Sequence, residues 1–127
     1  MKYYITGING FIGFTLAKKL AELGHEVTGI DNMNHYYDVS LKIARNRILV
    51  KEHGIRSNYG SLLSNGDLNH TLSKEKPDVV IHLAAYAGIR NSIENPNQYI
   101  NNNVTGTQNL INACEKYGIE NVLYAST

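Results

Sequence analysis

Tryptophan is absent from the 127 residues, and there are only two phenylalanines, two prolines and one cysteine. A single thiol, Cys114, excludes an internal disulfide and suits a reducing compartment, the cytoplasm; its setting favours a packed thiol on a helix over a nucleophile. Proline is too scarce to make a linker, and no low-complexity stretch or solenoid-period repeat divides the chain. Charge of neither sign prevails, with twelve basic residues against eleven acidic. No run of Lys or Arg is long enough to hold nucleic acid or an anionic lipid surface, and Lys18-Lys19 is read as a solvated helix face. The opening MKYYITGINGFIGF is apolar but broken by three glycines and has no small-residue cleavage site, so neither a signal peptide nor a membrane span is read there. Five histidines and one cysteine show no ligand spacing, and no metal is expected.

What remains is one domain's worth of chain, residues 1–127, in which β-rich and helical segments alternate. Residues 2–6 form a short β-rich run that meets a glycine cluster. Ile12, Leu16, Leu20 and Leu23 then recur at helical spacing, with Gly24 as the stop. Residues 26–30 read as a second strand ended by Asp31-Asn32. Asp38 or Ser40 caps a helix reaching about His53, with Leu41, Ala44 and Ile48 on one face. A third strand is sought within residues 55–63, where RSNYGS is polar. Asp67 or Asn69 opens a short helix that Pro77 ends. DVVIHLAA, residues 78–85, has the unbroken apolar character of a strand covered on both faces. Asn95-Pro96 signals a helix start, after which Ile100, Asn103, Thr107, Leu110, Ile111 and Cys114 trace a stripe toward Gly118. NVLYAS then reads as a buried fifth strand that delivers Ser126 and Thr127 to the rim of the sheet.

This order predicts an α/β, Rossmann-type doubly wound parallel sheet, order 3-2-1-4-5, with ligands at the carboxyl ends of strands beside the switch between strands one and four. TGINGFIG places Gly7, Gly10 and Gly13 where a turn leaves the first strand, where backbone approaches a phosphate, and where a helix packs on the sheet. The helix start offers unpaired N–H groups and a positive dipole end to a pyrophosphate. Asp31 follows Gly13 by 18 residues, near the spacing of about 20 for a carboxylate that accepts ribose hydroxyls. Such an acid repels a 2′-phosphate, and no arginine follows it directly, so NAD is favoured over NADP.

These residues resemble the extended short-chain dehydrogenase/reductases, and among them the nucleotide-sugar epimerases. TGINGFIG is similar to the family's T-G-x-x-G-F-I-G turn, HLAAYAG to its H-x-A-A segment, and NNNVTGTQNLINAC to its N-x-x-G-T-x-N-L helix. DNMNHYYDVSLK and AGIRNSIENP are similar to segments of UDP-glucuronate 4-epimerases of polysaccharide synthesis. The resemblance covers essentially the whole chain. It implies NAD contacts from Gly7, Asn9, Gly10, Phe11, Ile12, Gly13, Asp31, Asn32, Ser61, Leu62, Leu83, Ala84, Ala85 and Asn103. Where the family usually carries Asp before an aliphatic residue at the adenine, Ser61-Leu62 stands here.

The implied reaction is epimerisation at sugar C4 through transient oxidation by NAD, with tyrosinate as base and no net redox change. Thr127, with Ser126 before it, takes the place of the hydroxyl residue that orients the 4-hydroxyl. The family's Tyr-x-x-x-Lys pair follows about two dozen residues later, and no Tyr here has a Lys four residues on. The chain is therefore expected to be an amino-terminal portion of a larger enzyme, truncated after strand five and inactive alone. Arg90 and Ser92 either meet the UDP-sugar substrate or face solvent, and Asn103 either braces the cofactor side or packs in the helix interface. His82 is read as a hydrogen-bonded core histidine, and His35, Tyr36 and Tyr37 either flank the adenine or form an exposed loop. The family is often homodimeric. Open alternatives are a nucleotide-sugar 4,6-dehydratase fragment, a stand-alone nucleotide-binding module, or an inactive remnant.

Overall fold

The computed structural model describes residues 1–126. Along the chain come β1 (Lys2–Thr6), α1 (Phe11–Glu22), β2 (Glu26–Asp31), α2 (Val39–His53), β3 (Arg56–Tyr59) and α3 (Asn65–Glu75). They are followed by β4 (Val79–His82), α4 (Ile89–Glu94), α5 (Pro96–Tyr99), a π-helical segment (Ile100–Thr105), α6 (Gly106–Lys116) and β5 (Asn121–Tyr124). The five strands are parallel, in the order β3-β2-β1-β4-β5. The winding reverses between β1 and β4, which opens a crevice at their carboxyl ends. Among the described residues no helix is long and apolar enough to cross a membrane.

The sheet is covered on both faces, and β1 shows why. Its alternation sends Tyr4 one way and Ile5 the other, each fully buried. Tyr4 joins Ile30, Val80, Leu68, Leu72 and Leu110 beneath α3 and α6. Ile5 joins Val27, Ile81, Ala17 and Leu49 beneath α1 and α2. Burying one such leucine contributes about 2 kcal/mol. The Tyr4 phenol meets Thr71 Oγ1 at 2.7 Å, and burial pushes its pKa well above the usual phenol range, so the core keeps a neutral hydroxyl.

Several boundaries and faces differ from the sequence reading. In α1 the buried positions are Gly13 and Ala17, while Ile12 and Leu23 face outward, because the small residues are what allow the helix to sit close on the turn below it. In α2 the inward face is Lys42, Arg45, Asn46 and Leu49, and Leu41 and Ala44 are exposed. Asp38 is the cap there, accepting from Ser40 N at 2.9 Å. Helix α3 is capped by Ser64, which accepts from Asp67 N at 3.1 Å; it therefore starts before both Asp67 and Asn69. It ends at Glu75, with Lys76 in the left-handed region just before Pro77.

Strand β4 stops at His82 and not at Ala85, because Leu83 N is shared between the Thr6 carbonyl and the Thr6 hydroxyl and Ala84 N turns to that hydroxyl altogether. The long helix is broken into α5, the π segment and α6. The wider π turn rotates the stripe, so that Asn102, Gly106, Leu110, Ala113 and Cys114 are buried while Ile100 and Ile111 are exposed. Asn95 makes no cap bond although Pro96 takes the first helical position. Strand β5 pairs with β4, yet its four residues are exposed, which corrects the expected buried strand: as the edge of the sheet it is paired along one side only.

Candidate functional site

The carboxyl ends of β1, β2 and β4 frame a groove. It is lined by Gly7 and Gly10 after β1, by Ile30, Asp31, Asn32 and Asn34 from β2 and the loop beyond it with Lys42 of α2, by Leu83, Ala84, Ala85 and Tyr86 after β4, and by Gly60, Leu62 and Asn102. A second opening adjoins it past Gly10 and Phe11, where Arg45, Tyr36 and Tyr37 contribute.

The turn after β1 is tied to β2, with Gly7 N donating to Ile30 O at 2.8 Å and Gly10 N donating to Gly7 O at 3.0 Å. Helix α1 packs hard on this turn. A Cβ on Gly13 would strike the Gly7 carbonyl oxygen and lie 2.9 Å from Ile8 Cα, so the helix could not sit where it does with any larger residue. No side chain caps α1, and its first-turn N–H groups have no partner within the helix. Phe11 and Ile12 are 74% and 65% exposed, and Gly10 and Phe11 line the second opening, so the positive end of a 12-residue helix lies beside space that an anion could take.

Asp31 is 3% exposed. Its Oδ2 accepts from Asn9 N at 3.0 Å, and Oδ1 accepts from Met33 N at 2.8 Å and from the Lys42 ammonium at 3.0 Å. A carboxylate has about four acceptor positions; three are filled, so one is left for a ligand hydroxyl. Lys42, its side chain 14% exposed, still has donors to give. Asn9 is buried, and its amide donates to Ser57 Oγ at 3.0 Å and its backbone carbonyl accepts from Arg45 at 3.2 Å. It braces the turn from below and is not among the lining residues.

Ser61 lies between two lining residues, Gly60 and Leu62; its N–H donates to Asp67 Oδ2 at 2.9 Å and its Oγ accepts from Leu63 N at 3.1 Å. Asn103 grips the loop after β4, accepting from Tyr86 N at 2.8 Å and donating to Tyr86 O at 3.0 Å. His82, buried, bridges Thr6 Oγ1 at 2.7 Å and Thr107 Oγ1 at 2.8 Å, and burial holds its pKa below the usual imidazole value. Arg90 is exposed on α4, and the Ser92 hydroxyl is spent on Ile89 O within that helix. Ser126 is exposed beyond β5; Thr127 lies outside the described residues. His35 lies in the loop after β2, where Tyr36 and Tyr37 are half-exposed and exposed and stack edge to face, and the Tyr36 hydroxyl sits against Gly88.

Lys42, Arg45, Tyr86 and Asn102 belong to this region although the sequence did not single them out as site residues. Lys42 and Arg45 carried a signal: three residues apart on one helix, they face inward where an apolar stripe was sought. Among the described residues no cluster of three or more His, Cys, Asp or Glu is placed to hold a metal.

The family described as NAD dependent epimerase/dehydratase matches residues 3–127. Over its full length the chain is 46% identical to Protein CapI of Staphylococcus aureus, of which it covers 38%. It is 41% identical to the probable UDP-glucuronate 4-epimerase of Rhizobium meliloti (strain 1021), of which it covers 37%. Its fold matches UDP-glucose 4-epimerase of Thermus thermophilus, solved in complex with NAD, with a TM-score of 0.83 and 28% identity over 100% of this chain and 38% of that one. The chain thus spans 37–38% of the length of these curated relatives.

Proposed function

The chain belongs to the NAD dependent epimerase/dehydratase family, and we propose that it is the NAD-binding part of a nucleotide-sugar 4-epimerase acting on UDP-glucuronate. The observation that carries the reading is the pairing of two features one strand apart: an uncapped helix start beside Gly10, and a buried carboxylate, Asp31, with one acceptor position left. An anion fits the first and a ribose hydroxyl the second. Bound there, NAD would supply a reversible hydride acceptor for sugar C4.

The chain's own residues hold and orient. Phe11 and Ile12 amides take the pyrophosphate, and Asp31 with Lys42 takes the adenosine ribose. Leu62 borders the adenine, and Leu83, Ala84 and Ala85 carry the dinucleotide toward β5. Thr127, with Ser126, orients the 4-hydroxyl by hydrogen bonding. Arg90 meets the diphosphate or the sugar carboxylate, as its planar fork suits. The relatives' names and the segment AGIRNSIENP favour the epimerase over a 4,6-dehydratase. The proposed setting is cytoplasmic, with homodimerisation of the active enzyme.

Titration calorimetry of the chain with NAD tests the reading. Saturable heat is expected; a well-folded chain that gives none contradicts it. Incubated with UDP-glucuronate and NAD, the chain alone is expected to give no UDP-galacturonate, since none of its tyrosines has the lysine partner four residues on.

A further inference from the structure

Beneath the groove runs a chain of side-chain hydrogen bonds to which the proposed function gives no role. Thr6 Oγ1, at the end of β1, accepts from Leu83 N and Ala84 N, each at 3.1 Å. Its two lone pairs are thereby taken, so its proton goes to His82 Nδ1, 2.7 Å away. On the far side of the ring, Thr107 Oγ1 donates to the Asn103 carbonyl at 2.6 Å; it must therefore accept from His82 Nε2 at 2.8 Å. Only one form of the ring satisfies this count, the neutral imidazole with its proton on Nε2 and Nδ1 bare.

We propose that His82 is a positioning residue: fixed as the Nε2-protonated neutral tautomer, it holds the Leu83 and Ala84 wall of the cofactor groove through Thr6 and ties that wall to the π segment through Thr107 and Asn103. Asn103 in turn grips Tyr86 from both sides, so the loop after β4 is anchored at each end by one connected network. Its lining atoms at Leu83, Ala84, Ala85 and Tyr86 are then set by hydrogen bonds outside the groove itself.

A proton on Nδ1 breaks the pattern. It would face the Thr6 proton across 2.7 Å, and Thr6 would have to turn its own proton away and accept from three donors with two lone pairs. Leu83 N–H could fall back on the Thr6 carbonyl at 3.3 Å, but Ala84 N–H, bonded to Thr6 Oγ1 alone, would be left short, and a wall of the groove would loosen. Facing the ring are the Thr6 hydroxyl from β1, the Thr107 hydroxyl from α6 and the Tyr124 ring from β5, 5.6 Å between centroids. Tyr124 is the titratable group among them. Burial disfavours the charged ring, in keeping with the tautomer that the geometry requires.

The consequence for ligand rests on the NAD reading: cofactor affinity falls as His82 takes up a proton. Calorimetry on the full chain from pH 8 to pH 5 is expected to show a loss of about tenfold, equivalent to 1.4 kcal/mol. His82→Asn keeps an oxygen acceptor toward Thr6 and does not titrate; its binding is expected to be weaker than the parent's at pH 8 but to change less than about twofold over the same range. If that variant does not fold, His82→Gln takes its place. A flat profile in the parent, or an equally steep one in the variant, overturns the proposal. Ring ¹⁵N chemical shifts at pH 8, measured without cofactor, test the tautomer independently: protonated Nε2 and bare Nδ1 are expected, and a proton on Nδ1 overturns the proposal. A folded chain that binds no NAD at pH 8 would contradict the proposed function instead, while the ring measurement still decides the tautomer.

Discussion

Gly10→Ala should separate ligand binding from folding. Gly10 has φ −71° and ψ 170°, extended backbone that alanine adopts without strain. The added Cβ would meet a single atom within 4 Å, the Gly7 carbonyl oxygen at 3.2 Å, which asks for a shift of a few tenths of an ångström. At an N-cap the exchange of Gly for Ala costs between a few tenths and about 1 kcal/mol, and a small loss of stability is the whole expected effect on folding. Binding is another matter, because Gly10 lines both openings. A phosphate oxygen must come within about 3 Å of an amide nitrogen to bond it, and a methyl group on that wall holds it off. Losing one charge-assisted bond costs about 1.5–3 kcal/mol, a drop in affinity of roughly 10- to 150-fold. The assay is calorimetric titration with NAD beside urea unfolding of both proteins. Gly13→Ala is the converse, since its Cβ would strike the Gly7 carbonyl: the principal loss should be in stability, about 1–3 kcal/mol. A folded Gly10→Ala protein that binds NAD as tightly as the parent would refute the placement of phosphate at this turn.

Three further outcomes are expected. Asp31→Asn keeps the shape but leaves the Lys42 ammonium, 14% exposed, without its counter-charge; NAD affinity should fall about tenfold or more and unfolding free energy by about 2 kcal/mol, both read in the same two assays. Cys114 is buried and burial pushes its thiol up to about 11, so at pH 8 a chromogenic disulfide reagent should react only as fast as the chain unfolds; labelling within seconds of mixing would contradict its place in the core. The folded-state pKa of His82 is depressed by burial, which makes the unfolded chain the better proton acceptor. Its share of stability is therefore full above the unfolded value of about 6.5 and is lost as pH falls through the folded value. Urea unfolding at stepped pH should show this decline, reduced in His82→Asn.

The sheet order was legible because β1 leads straight into its glycine turn and because helical and β-rich segments alternate along the chain, the polar RSNY of β3 being the exception. The carboxylate at the end of the second strand was legible too, since Asp31 closes that strand 18 residues after Gly13. The inward face of α2 was not. Lys42 and Arg45 line the openings at the carboxyl end of the sheet, and a helix that turns charge toward a site shows no apolar stripe there. The π segment shifted the last helix's stripe by a wider turn, which no residue type in INNNVT announces. Strand β4 looked longer than it is because Leu83, Ala84 and Ala85 continue its apolar run, whereas its end is decided by Thr6, which lies 76 residues before His82 in sequence and whose hydroxyl draws the next two amides. NVLY reads as buried on composition alone, and its exposure depends on what covers it, which composition does not encode.

If this chain seats a dinucleotide between the α1 start and Asp31, backbone amide shifts followed by NMR during an NAD titration will report it residue by residue. Movement is expected to concentrate at Gly10, Phe11, Ile12, Gly13 and Asn32, with Ala84 and Ala85 following. Saturable shifts confined to α3, α6 or β5, with the glycine turn unmoved, would contradict it.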